Sequence, residues 1–161
     1  MGIEKRRRQG HQSVSSRHIM LPDTVHKLPL EERTAWAKVL AFVSKVDGEV
    51  DIGEMALFES RMGTALFPPK TRERARQWLK DPPSLREAID GLGREGARLA
   101  MRDAVLMTAA DGEVDDNERK LLDLLAEELN IDFDVVDDLL DWVIDGFEWM
   151  QDGYRLLKQI K

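Results

Sequence analysis

The chain has 161 residues, of which 42% are hydrophobic and 34% charged, and its formal net charge is −7. This composition indicates a globular domain with a core of its own rather than a disordered chain. The sequence contains no cysteine and its three histidines lie within the first 26 residues, which excludes disulfides, Cys-ligated metals and His-dependent catalytic triads from the body of the protein.

Charge is divided unevenly along the chain. Residues 1–27 are polar and basic, and we expect a flexible N-terminal arm suited to peripheral contact with an anionic membrane, followed over residues 28–161 by one helical domain with a C-terminal helical extension. Residues 103–152 contain 17 acidic side chains against only Arg119 and Lys120, which argues against a nucleic-acid partner. No membrane-spanning run or secretory signal is visible, so we expect a cytoplasmic protein, either free or at the inner face of the membrane.

The first half of the body has a helical pattern. Apolar side chains at three- and four-residue steps predict one helix over about 31–45 and another over about 52–65. The second helix is expected to direct four side chains inward: Met55, Phe58, Met62 and Leu66. A basic helix over 70–80 follows, and a capping box of Ser84 and Glu87 predicts the start of a short helix.

The second half of the body gives a similar pattern. Helices are predicted over about 94–110 and 116–129, and Asn130 is suited to end the latter in the left-handed conformation. Another helix begins just after Asn130, and Gly146 is expected to interrupt it before a last amphipathic helix. No segment shows the two-residue alternation of a strand. The fold class is therefore predicted to be all-α, a compact bundle of about seven to eight helices.

A repeated acidic motif is the most informative feature of the sequence. Asp-Gly-Glu-Val-Asp occupies residues 47–51 and again 111–115, and a glutamate follows three residues later in each copy, at Glu54 and Glu118. Helical patterns flank both copies. The repeat therefore predicts a helix–acidic turn–helix unit that is used twice.

One interpretation of this motif is structural. Asp51 and Asp115 are expected to cap the helices that follow, with Glu54 and Glu118 completing capping boxes. The glycine gives each turn its backbone freedom, and the valine holds the turn against the core. The caps leave four carboxylates unexplained: Asp47, Glu49, Asp111 and Glu113.

The other interpretation is a divalent-cation site. Aligned with an EF-hand loop, each motif supplies the ligands of the second half of the loop, ending in the bidentate glutamate. The first half is missing, because its ligand positions hold residues that cannot bind a cation: Val43, Lys45, Met107 and Ala109. The site is then either weak or completed by two turns that share one ion. Oxygen ligands favour Ca²⁺, Mg²⁺ or Mn²⁺.

The two motifs with their flanking residues, from Val46 to Glu54 and from Ala109 to Glu118, resemble the tellurite-resistance TerB-like family, with similarity over about residues 34–131. The resemblance implies a non-enzymatic, all-helical module of stress and metal resistance that is cytoplasmic or membrane-associated. It also implies a divalent-cation site built from eight carboxylates: Asp47, Glu49, Asp51, Glu54, Asp111, Glu113, Asp115 and Glu118. The resemblance does not account for the basic arm or for the tryptophan-rich C-terminal part.

Two functions follow from these interpretations. The first is a cation-responsive TerB-like module that acts in stress or tellurite resistance, or as a scaffold for a protein partner that the sequence does not identify. The second is a purely structural protein-interaction adaptor whose acidic turns are only helix caps. Its binding surface would lie on the C-terminal helices, although we expect their large side chains to pack in the core: Trp142, Phe147, Trp149 and Met150. Catalysis by paired carboxylates is not expected, because no apolar cleft accompanies them.

Overall fold

The computed structural model describes residues 23–44, 50–110 and 112–161, and these form seven α-helices with no strand among them. A short 3-10 turn, Val25–Lys27, comes first. The helices are α1 Leu30–Val43, α2 Ile52–Thr64, α3 Pro69–Lys80, α4 Leu85–Ile89, α5 Arg94–Thr108, α6 Asp116–Glu128 and α7 Phe133–Leu157. The predicted all-α bundle is confirmed, and α1, α2, α3, α5 and α6 begin within one residue of their predicted starts.

The duplication extends further than the acidic motif. The helices α1 and α5 begin at residues 30 and 94, α2 and α6 at 52 and 116, and α3 and α7 at 69 and 133, so each pair is offset by 64 residues. The acidic motifs have the same offset. The repeated unit is therefore a three-helix unit, one helix longer than the sequence predicted, and α4 lies between the two copies.

The two copies also end their second helix in the same way. Leu66 and Asn130 have backbone φ angles of 53° and 54°. Asparagine tolerates this left-handed conformation, whereas for leucine it costs about 1–2 kcal/mol. Because the helix ends before Leu66, this side chain is 60% exposed, and its predicted inward orientation is wrong. Met55 is also partly exposed, while Phe58 and Met62 are buried as predicted.

The central helix of the bundle is α1. It packs along α5 and contacts α3 and α4, while α7 covers α5 and α6. Ala100 and Ala104 on α5 are fully buried, and their small side chains allow the two central helices to approach closely. Val50 and Val114 of the two acidic turns pack against this core, as predicted.

The C-terminal part differs from the prediction. Gly146 does not interrupt the helix, because α7 is one helix of 25 residues that continues through Gly146 and Gly153. Glycine weakens a helix interior by about 1 kcal/mol relative to alanine, but it keeps the backbone N–H that proline lacks. Within residues 23–44, 50–110 and 112–161, no helix combines the length and the apolar character needed to cross a bilayer.

The end of the predicted N-terminal arm lies against the core. Val25 is fully buried and Leu28 nearly so. The carboxylate of Asp23 is bound by arginines from two helices. The remainder of the predicted arm, residues 1–22, lies outside the described residues, and its interpretation as a flexible arm stays a prediction.

Candidate functional site

Each acidic turn forms a helix cap in its described part. At the first turn, the Asp51 carboxylate accepts a hydrogen bond from the Glu54 amide (2.7 Å), and the Glu54 carboxylate accepts one from the Asp51 amide (2.8 Å). At the second turn, Asp115 accepts from the amides of Asn117 and Glu118 (2.7 and 2.9 Å). Glu118 in return accepts from the Asp115 amide (2.8 Å). Both capping boxes predicted from the sequence are confirmed.

The caps have nearly the same backbone geometry in the two copies. Asp51 has φ −76° and ψ 173°, and Asp115 has φ −80° and ψ 172°. Gly112 in the second turn has a φ of 92°, a left-handed value that glycine adopts without strain. Four of the eight carboxylates assigned to a cation site therefore serve the main chain at the start of α2 or α6.

The other four carboxylates are only partly described. Asp47, Glu49 and Asp111 lie outside the described residues, and Glu113 is exposed beside the second turn. Within the part of the chain that the structure describes, no group of three or more acidic or histidine side chains is placed to hold a metal ion. The divalent-cation site, and the choice among Ca²⁺, Mg²⁺ and Mn²⁺, stays a prediction.

A groove, which we call the α7 groove, runs between the second acidic turn and α7. One part has a volume of about 450 Å³ and the next about 580 Å³, and both are lined by Gly112, Ile144 and Phe147. The lining residues on α7 combine apolar and acidic side chains, and they include Asp137, Leu140, Asp141 and Glu148. This composition suits an apolar segment that also carries positive charge.

The C-terminal end of the chain exposes a broad apolar surface, which we call the distal face. It comprises six side chains: Trp149, Met150, Tyr154, Leu156, Leu157 and Ile160. Trp149 and Ile160 are 73% and 75% exposed. The expected packing in the core is therefore wrong for Trp142, Trp149 and Met150, whereas Phe147 is partly buried against it.

The sequence analysis missed a buried cluster of charged side chains between α1, α2 and α5. Asp103 on α5 is completely buried, and its carboxylate accepts a hydrogen bond from the Trp36 indole N–H (2.9 Å). The same carboxylate accepts from Arg61 Nη2 (2.8 Å) and from Arg102 Nε and Nη2 (2.9 and 2.8 Å). Hydrogen bonds from charged donors offset the cost of burying this carboxylate.

Asp23 joins the N-terminal end of the described chain to this cluster. Its carboxylate accepts hydrogen bonds from Arg61 (2.6 Å) and Arg102 (2.9 Å), and from the Val25 amide (3.0 Å). Burial alone would raise the pKa of Asp23. The hydrogen bonds from Arg61 and Val25, with the two guanidinium charges, outweigh burial and hold this pKa below its ordinary value of 3.8. Burial alone would lower the pKa of Arg102, but the hydrogen bonds and charges of Asp103 and Asp23 raise it.

Two members of the cluster occupy positions that are apolar in the other copy of the repeat. Asp103 corresponds to Val39 at the offset of 64 residues, and Arg61 corresponds to Leu125. Val39 and Leu125 are both buried. A charged residue at a core position needs a buried partner, so alignment of the two copies was the signal that could have revealed this cluster.

Comparison of the chain with protein-family models, with curated proteins and with solved structures gives no match in any of the three. The resemblance to the TerB-like family stays a prediction that rests on the two acidic motifs. The distal face lies beyond residues 34–131, over which the chain shows that resemblance.

Proposed function

We propose that the protein is a non-enzymatic, TerB-like helical module that functions by binding another protein chain through α7. The observation that carries this proposal is the distal face, which is exposed at the end of a helix whose first half is packed in the bundle. The hydrogen bonds of the acidic turns agree with a binding module, because the described caps use their carboxylates to hold the main chain.

One apolar stripe runs along α7 at alternating four- and three-residue steps. It consists of Val136, Leu140, Val143, Phe147, Met150, Tyr154 and Leu157. The bundle covers the stripe fully or partly as far as Phe147, whereas the side chains from Met150 onward are exposed. A stripe with this spacing normally packs against another helix along its whole length. The exposed part therefore has the pattern of an interface that lacks its partner.

The chemistry of the distal face also favours association. Monomeric proteins rarely expose large contiguous apolar patches, and Trp, Tyr and Met are enriched at the centres of interfaces. The bundle fixes the first half of α7, so the distal face is already helical as far as Leu157 before a partner binds. This preorganisation reduces the entropy lost on binding.

The proposal predicts that the full chain belongs to a larger complex in extracts of the cells that express it. Trp149→Glu combined with Leu156→Glu should release the chain from that complex, because the two substitutions add charge to the distal face and remove its apolar contacts. Both side chains are exposed, so the fold should survive. Size-exclusion chromatography of the extract, with detection of a tag on the chain, measures the effect.

Arg155→Gln combined with Gln159→Glu is the matched control. It changes the net charge by the same amount on the polar side of the segment, and the complex should remain intact. The proposal would be wrong if the unsubstituted chain eluted from the extract at its own mass of 18.4 kDa. It would also be wrong if both variants lost the complex equally.

The nearly identical backbone geometry of the two helix caps, Asp51 and Asp115, supports a second proposal, a divalent-cation site that makes the module responsive to Ca²⁺, Mg²⁺ or Mn²⁺. The caps already place carboxylates at both turns, and the motif adds Asp47 and Asp111, each four residues earlier in the sequence than the capping aspartate. Carboxylates this close along the chain repel one another, and a cation would relieve the repulsion.

Calcium is therefore expected to stabilise the folded chain by about 2.7 kcal/mol when the free ion reaches about 100 times its Kd. The double variant Asp47→Asn, Asp111→Asn should lose this stabilisation, while Asp138→Asn on the exposed side of α7 should keep it. Thermal unfolding with and without millimolar CaCl₂, MgCl₂ or MnCl₂ measures the effect. A melting temperature that no ion changes, or one that changes equally in all variants, would remove the cation proposal.

A further inference from the structure

The distal segment, residues 145–161, carries opposite charges at its two ends. Its first half contains Asp145, Glu148 and Asp152, and its second half contains Arg155, Lys158 and Lys161. Arg155 pairs with Asp152 within the helix (2.6 Å). The end of the segment therefore combines the exposed apolar Leu157 with two lysines.

The α7 groove has the complementary composition. Its apolar lining on α7 includes Leu140, Ile144 and Phe147. Its acidic lining includes Asp141 and Asp137, of which Asp137 already pairs with Arg119 of the same chain. An occupant that matches this groove is a narrow apolar segment flanked by positive charge. The end of the distal segment meets this description, and it belongs to the same helix.

We propose that a second copy of this chain fills the α7 groove with its distal segment, which lies antiparallel to α7, and that the contact is reciprocal. This inference rests on the proposed function, because it names the protein chain that α7 binds. A reciprocal contact of this kind has two-fold symmetry and closes after two copies. Each copy then covers the exposed part of the other copy's apolar stripe.

The charges determine the orientation. In an antiparallel pair, Lys158 and Lys161 of one copy lie beside the part of α7 that contains Asp137 and Asp141 of the other. A parallel pair would instead place acidic halves side by side and basic halves side by side, which is unfavourable. The apolar side chains supply most of the association energy, and the charges select the antiparallel arrangement.

Light scattering on the purified full chain tests the inference. At high concentration the mass should approach twice the 18.4 kDa of one chain, and it should fall on dilution. Lys158→Glu should weaken the dimer at least about tenfold, because it places an acid beside Asp141 of the other copy. Adding Asp141→Lys to the same chain should restore the dimer, and Gln159→Glu, on the polar side, should leave it unchanged.

Three results would overturn the inference. A dimer that survives both Lys158→Glu and Leu157→Glu forms through another surface. A purified chain that is monomeric at every concentration, but is part of a larger complex in cell extracts, has a different protein as its partner, and the proposed function then stands without self-association. A monomer that binds vesicles of anionic lipid through the distal face has a membrane as its occupant, and that result contradicts both proposals.

Discussion

Asp103→Val is expected to lower the free energy of unfolding by about 3–5 kcal/mol, the usual cost of removing one partner from a buried ion pair. Valine is not smaller in volume than aspartate, and it occupies the corresponding core position, Val39, in the other copy. The substitution therefore creates little cavity. Its cost comes from Arg61 and Arg102, which keep Asp23 but lose the more deeply buried of their two counter-charges, and from the Trp36 indole N–H, which loses its acceptor. Urea denaturation, monitored by tryptophan fluorescence and circular dichroism, measures this loss of unfolding free energy.

A double-mutant cycle separates this mechanism from simple core damage. Adding Arg61→Leu to Asp103→Val reproduces the apolar pair Val39 and Leu125 of the other copy, and the double variant should be more stable than Asp103→Val alone. Arg61 also has a buried Nε that makes no hydrogen bond among the described atoms. Replacing Arg61 therefore also removes the free-energy cost of burying this N–H group without an acceptor.

The matched control for this cycle is Asp123→Val. Asp123 pairs with Arg119 on α6 (2.9 Å), but both side chains are about one-third exposed. Loss of such a pair should cost no more than about 1 kcal/mol. The cluster would not be energetically coupled if Asp103→Val lowered the unfolding free energy as little as this control does. The same conclusion would follow if the loss in the double variant equalled the sum of the losses for Asp103→Val and Arg61→Leu.

Local rules were sufficient for the helices and their caps. A capping box joins residues three apart in the chain, so Asp51 with Glu54, and Asp115 with Glu118, could be recognised without knowledge of the fold. The starts of α2 and α6 follow from these caps. The end of α3 follows from Asp81-Pro82-Pro83, because the residue before a proline is excluded from the helical region.

The same local rules gave wrong predictions where tertiary packing determines the length of a helix or the burial of a side chain. Gly146 carries the propensity to interrupt a helix, but the packing of α7 on α5 and α6 supplies more energy than one glycine costs. Apolar spacing predicted a buried position for Trp149, yet the bundle ends before that residue. Periodicity shows which side of a helix is apolar and does not show what covers that side.

The buried cluster could not be found from local spacing at all. Trp36 and Asp103 are 67 residues apart, and Arg102 and Asp23 are 79 apart. Within the sequence, only alignment of the two copies relates residues so far apart, because it shows which core positions are charged in one copy and apolar in the other. The cluster is therefore a site where the two copies differ in charge within the core.

The copies differ on the surface in their third helix. α3 is rich in arginine and lysine and ends at Lys80, whereas the first half of α7 is acidic and the helix continues to Leu157. No proline stops α7, so it extends beyond the bundle and carries the distal face. The duplicated fold thus accounts for the shared caps and core, and the divergence of one helix accounts for the binding surface that we propose.

Asp23→Asn is expected to destabilise the protein by about 1.5–3 kcal/mol near neutral pH, the range for hydrogen bonds to charged groups. The pKa of Asp23 lies below 3.8 in the folded protein and near 3.8 in the unfolded chain. The folded state therefore binds this proton less readily, and the carboxylate contributes its full stability above the unfolded pKa. The contribution decreases as the pH falls from there and is lost once the pH passes below the folded pKa.

The difference in unfolding free energy between the unsubstituted chain and Asp23→Asn should therefore be constant near neutral pH and should shrink below about pH 4. Urea denaturation at a series of pH values measures this difference directly. Asp138→Asn, an exposed substitution on α7, should show almost no difference at any pH. A difference for Asp23→Asn that stays the same into strong acid would show that the carboxylate charge does not hold the N-terminal segment to the arginines.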